Sequence, residues 1–407
     1  MSTVTQPAPA GPTPADVIPH SRAEFVRRFG QGEFGSLRVI IILAVIWAIF
    51  QAAESRFLTS VNLVNLTLQI AAVGTISVGV VLVLLLGEID LSVGIVSGLC
   101  AAVMAVLNVK HGWPGPLAVL AGVVVGTAIG TFQGTVFTRF GIPSFVVTLA
   151  GLLGWAGVLL WVLGSTGTVN ISDSFIVNLA GTFFDDVTGW GIGLVAVAAF
   201  AATTLNGRRR RVAAGLEAPP AAAIGLRIAV VAVAMAATIA IVNADRGLPL
   251  ALVILVGFVL LFQWITTRTR FGRYIYAVGG NIEAARRAGI PVDKVRIAVF
   301  ALSSTMAACG GVLAASRLLA VNQSSGGSDL LLLAIAGPVI AGTSLFGGRG
   351  TVWSALLGSL VIGSISNGMD LLALPSEDKF MVTGAVLLLA VIIDAITGSK
   401  RRQAGRV

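Results

Sequence analysis

The sequence predicts an all-α polytopic membrane protein with about 12 transmembrane segments (roughly 10–12) and both termini in the cytoplasm. Composition, apolar segmentation and charge placement all point that way. Hydrophobic residues make up 56% of the 407 and charged residues 11%, with a mean hydropathy of +0.95. A soluble globular domain carries about 25% charged residues. Apolar segments near the length that crosses a hydrocarbon layer fall at 36–53, 63–86, 91–109, 117–138, 143–164, 189–206, 225–243, 248–266, 297–316, 330–346, 352–373 and 380–397. Those at 91–109 and 330–346 are the weakest as full spans. With the N-terminus inside, this segmentation puts 22 of the 27 Lys and Arg on the inner side and 5 on the outer. That is the bias expected of cytoplasmic loops.

In chain order, residues 1–35 are rich in Pro, Ala and polar residues and carry Arg22, Arg27 and Arg28. They read as a disordered cytoplasmic tail, and no apolar run follows the start closely enough to suggest a cleaved secretory signal. The membrane domain spans 36–397. Its outer loop 165–188 holds Asp173, Asp185 and Asp186 but no Lys or Arg, and its mixed pattern suits a short surface helix. The loop 207–224 carries Arg208–Arg211 and then an Ala/Pro linker. Its arginines suit anionic headgroups on the inner side. Residues 398–407 form a basic cytoplasmic tail. The net charge of +9 follows membrane topology, so it is not a nucleic-acid signal; the lipid bilayer is the partner it implies.

Metal and enzyme chemistry find no residues to carry them. Cys100 and Cys309 lie in apolar segments, and His20 and His111 lie outside them, so neither a CxxC site nor a His-based relay is predicted. None of Lys110, Lys294, Lys379 and Lys400 follows a glycine, so there is no GxxxxGK[ST] phosphate loop. Nor is there an HExxH, GxSxG or kinase-like set. No cofactor is predicted, and any ATP that drives this chain is bound by another subunit.

Two polar stretches break the apolar pattern. Gly87–Gly94, GEIDLSVG, places Asp90 and Ser92 just before an apolar helical run. Either the acids cap that helix at the cytosolic surface, or they line a polar cavity at a broken helix. Gln69, Gln133, Thr148 and Asn367 are the other sparse polar groups, with Asp370, inside apolar segments. Such groups hydrogen-bond a neutral polyol or clamp helices together. Their lack of charge argues against an ion or proton pathway. The Gly-rich stretches 74–94 and 326–350 fall at comparable positions in the two halves, a hint of duplicated architecture without a residue-level repeat.

The second stretch is 268–296, a polar cytoplasmic loop with seven Lys and Arg. Within it Asn281–Gly289 reads as a short helix. Asn281 is a good N-cap. Glu283 in the first turn and Arg286 and Arg287 in the last suit the helix dipole, and Gly289 then Pro291 terminate it. A helix this short is marginal by itself, which suggests that it rests against something.

GEIDLSVG at 87–94, QGTVFTRFGIPSFVVTLAG at 133–151 and RTRFGRYIYAVGGNIEAARRAGIPVDKVRIAVFALSS at 268–304 resemble the sugar permease subunits of bacterial ABC importers. The group is the ribose/xylose type, related to the branched-chain amino acid permeases, and the similarity covers about residues 60–397. The resemblance implies a homodimer in the bacterial inner membrane, an ABC ATPase subunit and an extracytoplasmic sugar-binding protein. Glu283, Ala284, Ala285 and Gly289 match the EAA---G pattern of ABC permeases, so Glu283–Gly289 would be the coupling helix, with Arg286 and Arg287 offered to acids of the ATPase. The hairpin 189–243 resembles that of the xylose-type members, which makes xylose the leading substrate. Glu88 stands where many relatives have Gly, and Gln133 where they usually have Asn. A branched-chain amino acid permease and a proton-coupled secondary transporter remain as alternatives.

Overall fold

The computed structural model describes residues 35–403, so the tail predicted at 1–35 and the last residues of the basic tail lie outside the described residues, apart from Gly35, which opens the first helix. Every apolar segment of the sequence forms a helix. They are α1 (Gly35–Ala53), α2 (Ser60–Leu85), α3 (Val93–Val109), α4 (Gly115–Phe140), α5 (Ser144–Leu163), α7 (Asp186–Ala213), α8 (Ala221–Asn243), α9 (Leu250–Arg268), α12 (Val292–Leu318), α13 (Ser328–Ile340), α14 (Trp353–Leu371) and α15 (Ser376–Gln403). Short helices α6 (Ser174–Gly181), α10 (Arg270–Gly280) and α11 (Ile282–Arg287) lie between them. Two small antiparallel ribbons tie distant loops: β1 (Thr168–Asn170) with β4 (Ala320–Asn322), and β2 (Phe183–Phe184) with β3 (Leu248–Pro249).

Among the described residues, 7 helices are long and apolar enough to cross a membrane: α2, α4, α5, α7, α8, α9 and α12. The segments at 91–109 and 330–346 fall short as whole spans. Helix α3 has 17 residues, and α13 has 13 and ends at Ile340 two residues after Pro338. The proline removes a backbone donor, and the chain turns away soon after it.

Helices α2 and α12 form the centre. The apolar window of α2 is 83% buried and that of α12 is 61%, against 11% for α7 and for α8. Helix α12 packs on α2, α3 and α4, and glycines let the backbones approach. A Cβ at Gly130 of α4 would run into the carbonyl of Phe300, and one at Gly79 of α2 would stand 2.7 Å from that of Ser303. Within a bilayer such small-residue packing replaces the hydrophobic drive between helices. The two Gly-rich stretches also meet: a Cβ at Gly94 would lie 3.0 Å from the carbonyl of Gly326, and one at Gly87 3.3 Å from that of Phe346.

Two loops expected from the sequence are helical. The arginines Arg208–Arg211 belong to α7, which has 28 residues. Arginine is a good helix former, and Arg210 and Arg211 sit in the last turn, where the dipole favours cations. The polar loop 268–296 contains α10, whose Ile275 and Val278 are buried while Arg270 and Arg273 are exposed. The short helix expected in loop 165–188 is α6, where the Asp173 carboxylate accepts the N–H groups of Phe175 and Ile176 at 3.0 and 3.1 Å.

Substituting Gly130→Val is expected to lower the melting temperature in detergent by several degrees, because backbone stands where the side chain must go. Gly154→Ala, where nothing lies within 4 Å, should leave it unchanged. Equal effects from the two variants would contradict the packing described.

Candidate functional site

Helix α11 is the first part of the site. It has six residues. Asn281 holds an extended backbone and its side-chain oxygen accepts the N–H of Ala284 at 2.9 Å. Gly289 adopts φ 76°, the left-handed conformation that lets Ile290 N–H return to Ala285 O at 3.1 Å and closes the helix. The expected helix thus forms with one residue fewer at its start, where Asn281 is the cap, and two fewer at its end, where Ala288 and Gly289 belong to the cap.

Its inner side is apolar. Ala285 is 3% exposed and shares a hydrophobic cluster with Ile275 and Val278 of α10, Val292 and Val295 of α12, and Leu85 of α2. Its outer side presents Glu283, Ala284, Arg286, Arg287 and Gly289 to solvent. Of the predicted coupling residues, Ala285 therefore anchors the helix and the other five face outward. Arg286 lies 3.9 Å from Glu283 and 3.8 Å from Asp293, long and exposed pairings that contribute little and leave the cation accessible.

Behind α11, glycines bring three backbones together. A Cβ on Gly279 would strike the carbonyl of Leu85 at the end of α2, and Gly348 N–H donates to that same carbonyl at 2.9 Å. The C-terminal end of α10, the end of α2 and the loop 341–352 thus meet with no side chain between them.

The second part of the site is the loop 86–92 that follows α2. Asp90 is 4% exposed, and its Oδ1 accepts the Ser92 N–H at 2.9 Å and the Ser92 hydroxyl at 2.7 Å. Ser92 is the N-cap residue of α3, and neither side chain caps the helix. The capping role expected of Asp90 is thus replaced by a turn that Asp90 closes on Ser92. Gln133 of α4, 1% exposed, brings its amide to 3.1 Å from Ser92 Oγ. The hydroxyl has one proton and gives it to the carboxylate, so the amide donates its Nε2–H to Ser92; the two amide ends are interchangeable in shape. That orientation directs Oε1 toward Gly151.

Helix α5 holds the loop from the other side. Thr148 Oγ1 accepts the Leu91 N–H at 3.1 Å, and Ser144 Oγ accepts that of Ile89 at 3.4 Å. Asp90, Ser92, Gln133 and Thr148 therefore come together, although 58 residues of chain separate the first from the last. Gln69 and Asn367 do not join them. Asn367 exchanges two amide hydrogen bonds with Asn62, at 2.8 and 3.0 Å, and clamps α14 to α2. Gln69 lies half-buried along α2. Glu88 is also not turned toward the cluster: its Oε1 accepts from the Arg296 guanidinium at 2.6 Å.

Two cavities flank these elements. A groove of 470 Å³ between α4 and α5 is lined by Phe132, Gln133, Val146, Gly151 and Trp155, among others. A cleft of 350 Å³ between α13, α14 and α15 is lined by Asp329, Ser366, Asp370, Lys379 and Phe380, among others, with Asp370 paired to Lys379 at 2.5 Å. Gln133 is the one predicted pathway residue that lines either. The sequence reading missed Asn62, Trp155, Ser144 and Arg296, which are ordinary polar or amphipathic residues and carry no motif of their own.

The family model described as branched-chain amino acid transport system / permease component matches residues 62–391. The chain belongs to this permease family. Among curated relatives of this permease, the xylose transport system permease protein of Escherichia coli K12 is 38% identical over 371 residues, covering 90% of this chain and 93% of the relative. The ribose import permease protein of the same organism is 31% identical over 358 residues, covering 87% and 92%. The L-arabinose ABC transporter permease protein of Azospirillum brasilense is 29% identical over 409 residues, covering 99% of each. No solved structure matches this permease.

Ser92→Ala removes the donor to Asp90 and the acceptor of Gln133. Each buried group left unpaired costs about 1–3 kcal/mol, so thermal unfolding in detergent should begin at clearly lower temperature. An unaltered melting curve would show that the three side chains do not depend on one another.

Proposed function

We propose that this permease is the membrane-spanning subunit of an ATP-driven importer for a monosaccharide, with xylose as the leading cargo. The observation that carries this reading is the 38% identity to a xylose permease along 90% of the chain. The exposed, capped helix α11 adds the mechanical element that such a subunit needs. In this reading the chain sits in the bacterial inner membrane as a homodimer, with both termini and α11 in the cytoplasm and about twelve crossings. An ABC ATPase subunit docks on α11, and an extracytoplasmic sugar-binding protein delivers the cargo on the other side. ATP is bound by the ATPase, and the chain itself has no catalytic site.

The chemistry of the polar groups supports a neutral cargo handed over by another protein. Asp90, Ser92, Gln133 and Thr148 are joined to one another and to the adjacent backbone, while the second Asp90 oxygen and one end of the Gln133 amide have no partner. A path of this kind offers hydroxyls and amides to a passing sugar, with one Asp90 oxygen engaged by Ser92, and capture is left to the binding protein. Closure of the ATPase on ATP would push α11, and through α10 and α12 the ends of α2 and α3.

Relatives named for sugars stand beside a family description that names branched-chain amino acids, which keeps an amino-acid cargo as the second reading. In vesicles loaded with ATP and supplied with the binding protein, excess unlabelled xylose should suppress uptake of the labelled cargo and leucine should not. Suppression by leucine alone would favour the second reading, and uptake that a protonophore abolishes at constant ATP would favour a secondary transporter.

Glu283→Arg reverses charge on the exposed side of α11 while sparing the buried Ala285. Co-purification of the ATPase subunit and ATP-dependent uptake are both expected to fall by about ten-fold. Unchanged values for both would remove α11 from the coupling role.

A further inference from the structure

We infer that Arg296 and Glu88 form a strut that carries movement of α11 to the Asp90–Ser92 loop. The inference rests on the transport reading proposed above and names the pair of side chains through which that coupling passes.

The geometry places Arg296 between the two halves of the polar cluster. The cluster is made by the loop, which supplies Asp90 and Ser92, and by α4, which supplies Gln133. The Arg296 guanidinium touches both. One of its nitrogens donates to Glu88, two residues before Asp90, at 2.6 Å. Its Cζ lies 5.5 Å from the ring centroid of Phe137, which is on α4 one turn beyond Gln133. The ring is itself packed against Phe300 of α12, with centroids 4.7 Å apart. A shift of the first turns of α12 therefore bears on the loop through Glu88 and on α4 through Phe137, and the hydrogen bonds joining Asp90, Ser92 and Gln133 span the gap between those two.

The other end of the strut is fixed to the docking helix. Arg296 lies in the second turn of α12. The buried residues Val292 and Val295 beside it share one apolar cluster with Ala285 of α11 and Val278 of α10. Displacing α11 thus drags the root of Arg296 with it. The ion pair is stiff enough to transmit the displacement, since the side chains of Arg296 and Glu88 are only 18% and 13% exposed. A charge-assisted contact shielded from water resists separation, because either partner alone would be left poorly solvated. A surface pair would slip into solvent. A role confined to holding the fold together would make loss of the pair lower stability while leaving the ratio of transport to hydrolysis unaltered, and this separates the two roles.

The test uses the whole importer in proteoliposomes, with the ATPase subunit and the binding protein present, and measures xylose uptake and ATP hydrolysis in the same sample. Glu88→Gln and Arg296→Gln are each expected to lower the sugar moved per ATP hydrolysed by about five-fold, with the ATPase subunit still co-purifying. The double variant should be no worse than either single one, as a shared contact requires. A wild-type ratio in the single variants would overturn the strut, as would losses that multiply in the double variant. If a lone charge prevents folding, Glu88→Gln with Arg296→Met replaces the pair by neutral groups of similar size. That protein should assemble and hydrolyse ATP yet show the same lowered ratio, and a wild-type ratio would refute the inference. Wild-type protein that moves no xylose under these conditions would instead refute the transport reading itself.

Discussion

Where α12 crosses α2, α3 and α4, backbone meets backbone. Gly79, Gly126 and Gly130 stand where any Cβ would press on a carbonyl of α12, and Gly310 and Gly311 answer from α12 with contacts on Ala72 and Ser97. Helices in a bilayer gain little from hiding apolar side chains from one another, since lipid is as apolar as leucine. Close approach, with its dispersion contacts, supplies the association instead. The requirement accounts for the glycines at these crossings. It also sets a mechanical property: a centre with few side chains between its backbones deforms little, so displacement at one end of α12 is passed along it.

The same device recurs at the end where α11 sits. Gly279 lies on the Leu85 carbonyl, and Gly348 shares it. A short helix that would be unstable in water becomes a fixed projection here, because Ala285 and Ile282 are pressed against the cluster formed by α10, α12 and α2. Polar groups at this level link the elements to one another. The cluster of Asp90, Ser92 and Gln133 is tied to α5 by Thr148 and Ser144, and the ion pair of Glu88 joins it to α12. The projecting helix, α12 and the polar loop form one continuous unit.

Much of this was legible in the residues because local chemistry dictates it. Asn281, Glu283 and Gly289 mark the ends of α11 by their capping and dipole preferences, and each apolar segment became a helix. The features that escaped depend on where distant elements land. Helix α10 was hidden because its apolar residues are interleaved with arginines, which read as loop until Ile275 and Val278 are seen against α12. The helical state of Arg208–Arg211 was hidden for a related reason, since a run of charge marks a membrane boundary without marking a helix end. Of the six predicted pathway residues, four converge on the loop after α2. The pairing of Asn367 with Asn62 was hidden because an amide within an apolar helix looks the same whether it faces a pathway or a second amide. Glu88 looked like a stray acid in the pathway, and only its spatial neighbour Arg296 explains it.

The account depends above all on α11 facing the cytoplasm and receiving the ATPase. Ala284 is exposed on the outer side of that helix, so a cysteine placed there reports its surroundings directly. A membrane-impermeant thiol reagent should modify Ala284→Cys in inside-out vesicles stripped of the ATPase, and adding the ATPase subunit back should protect it. Modification from outside intact cells, or labelling in stripped vesicles that the ATPase subunit leaves unaffected, would contradict the account.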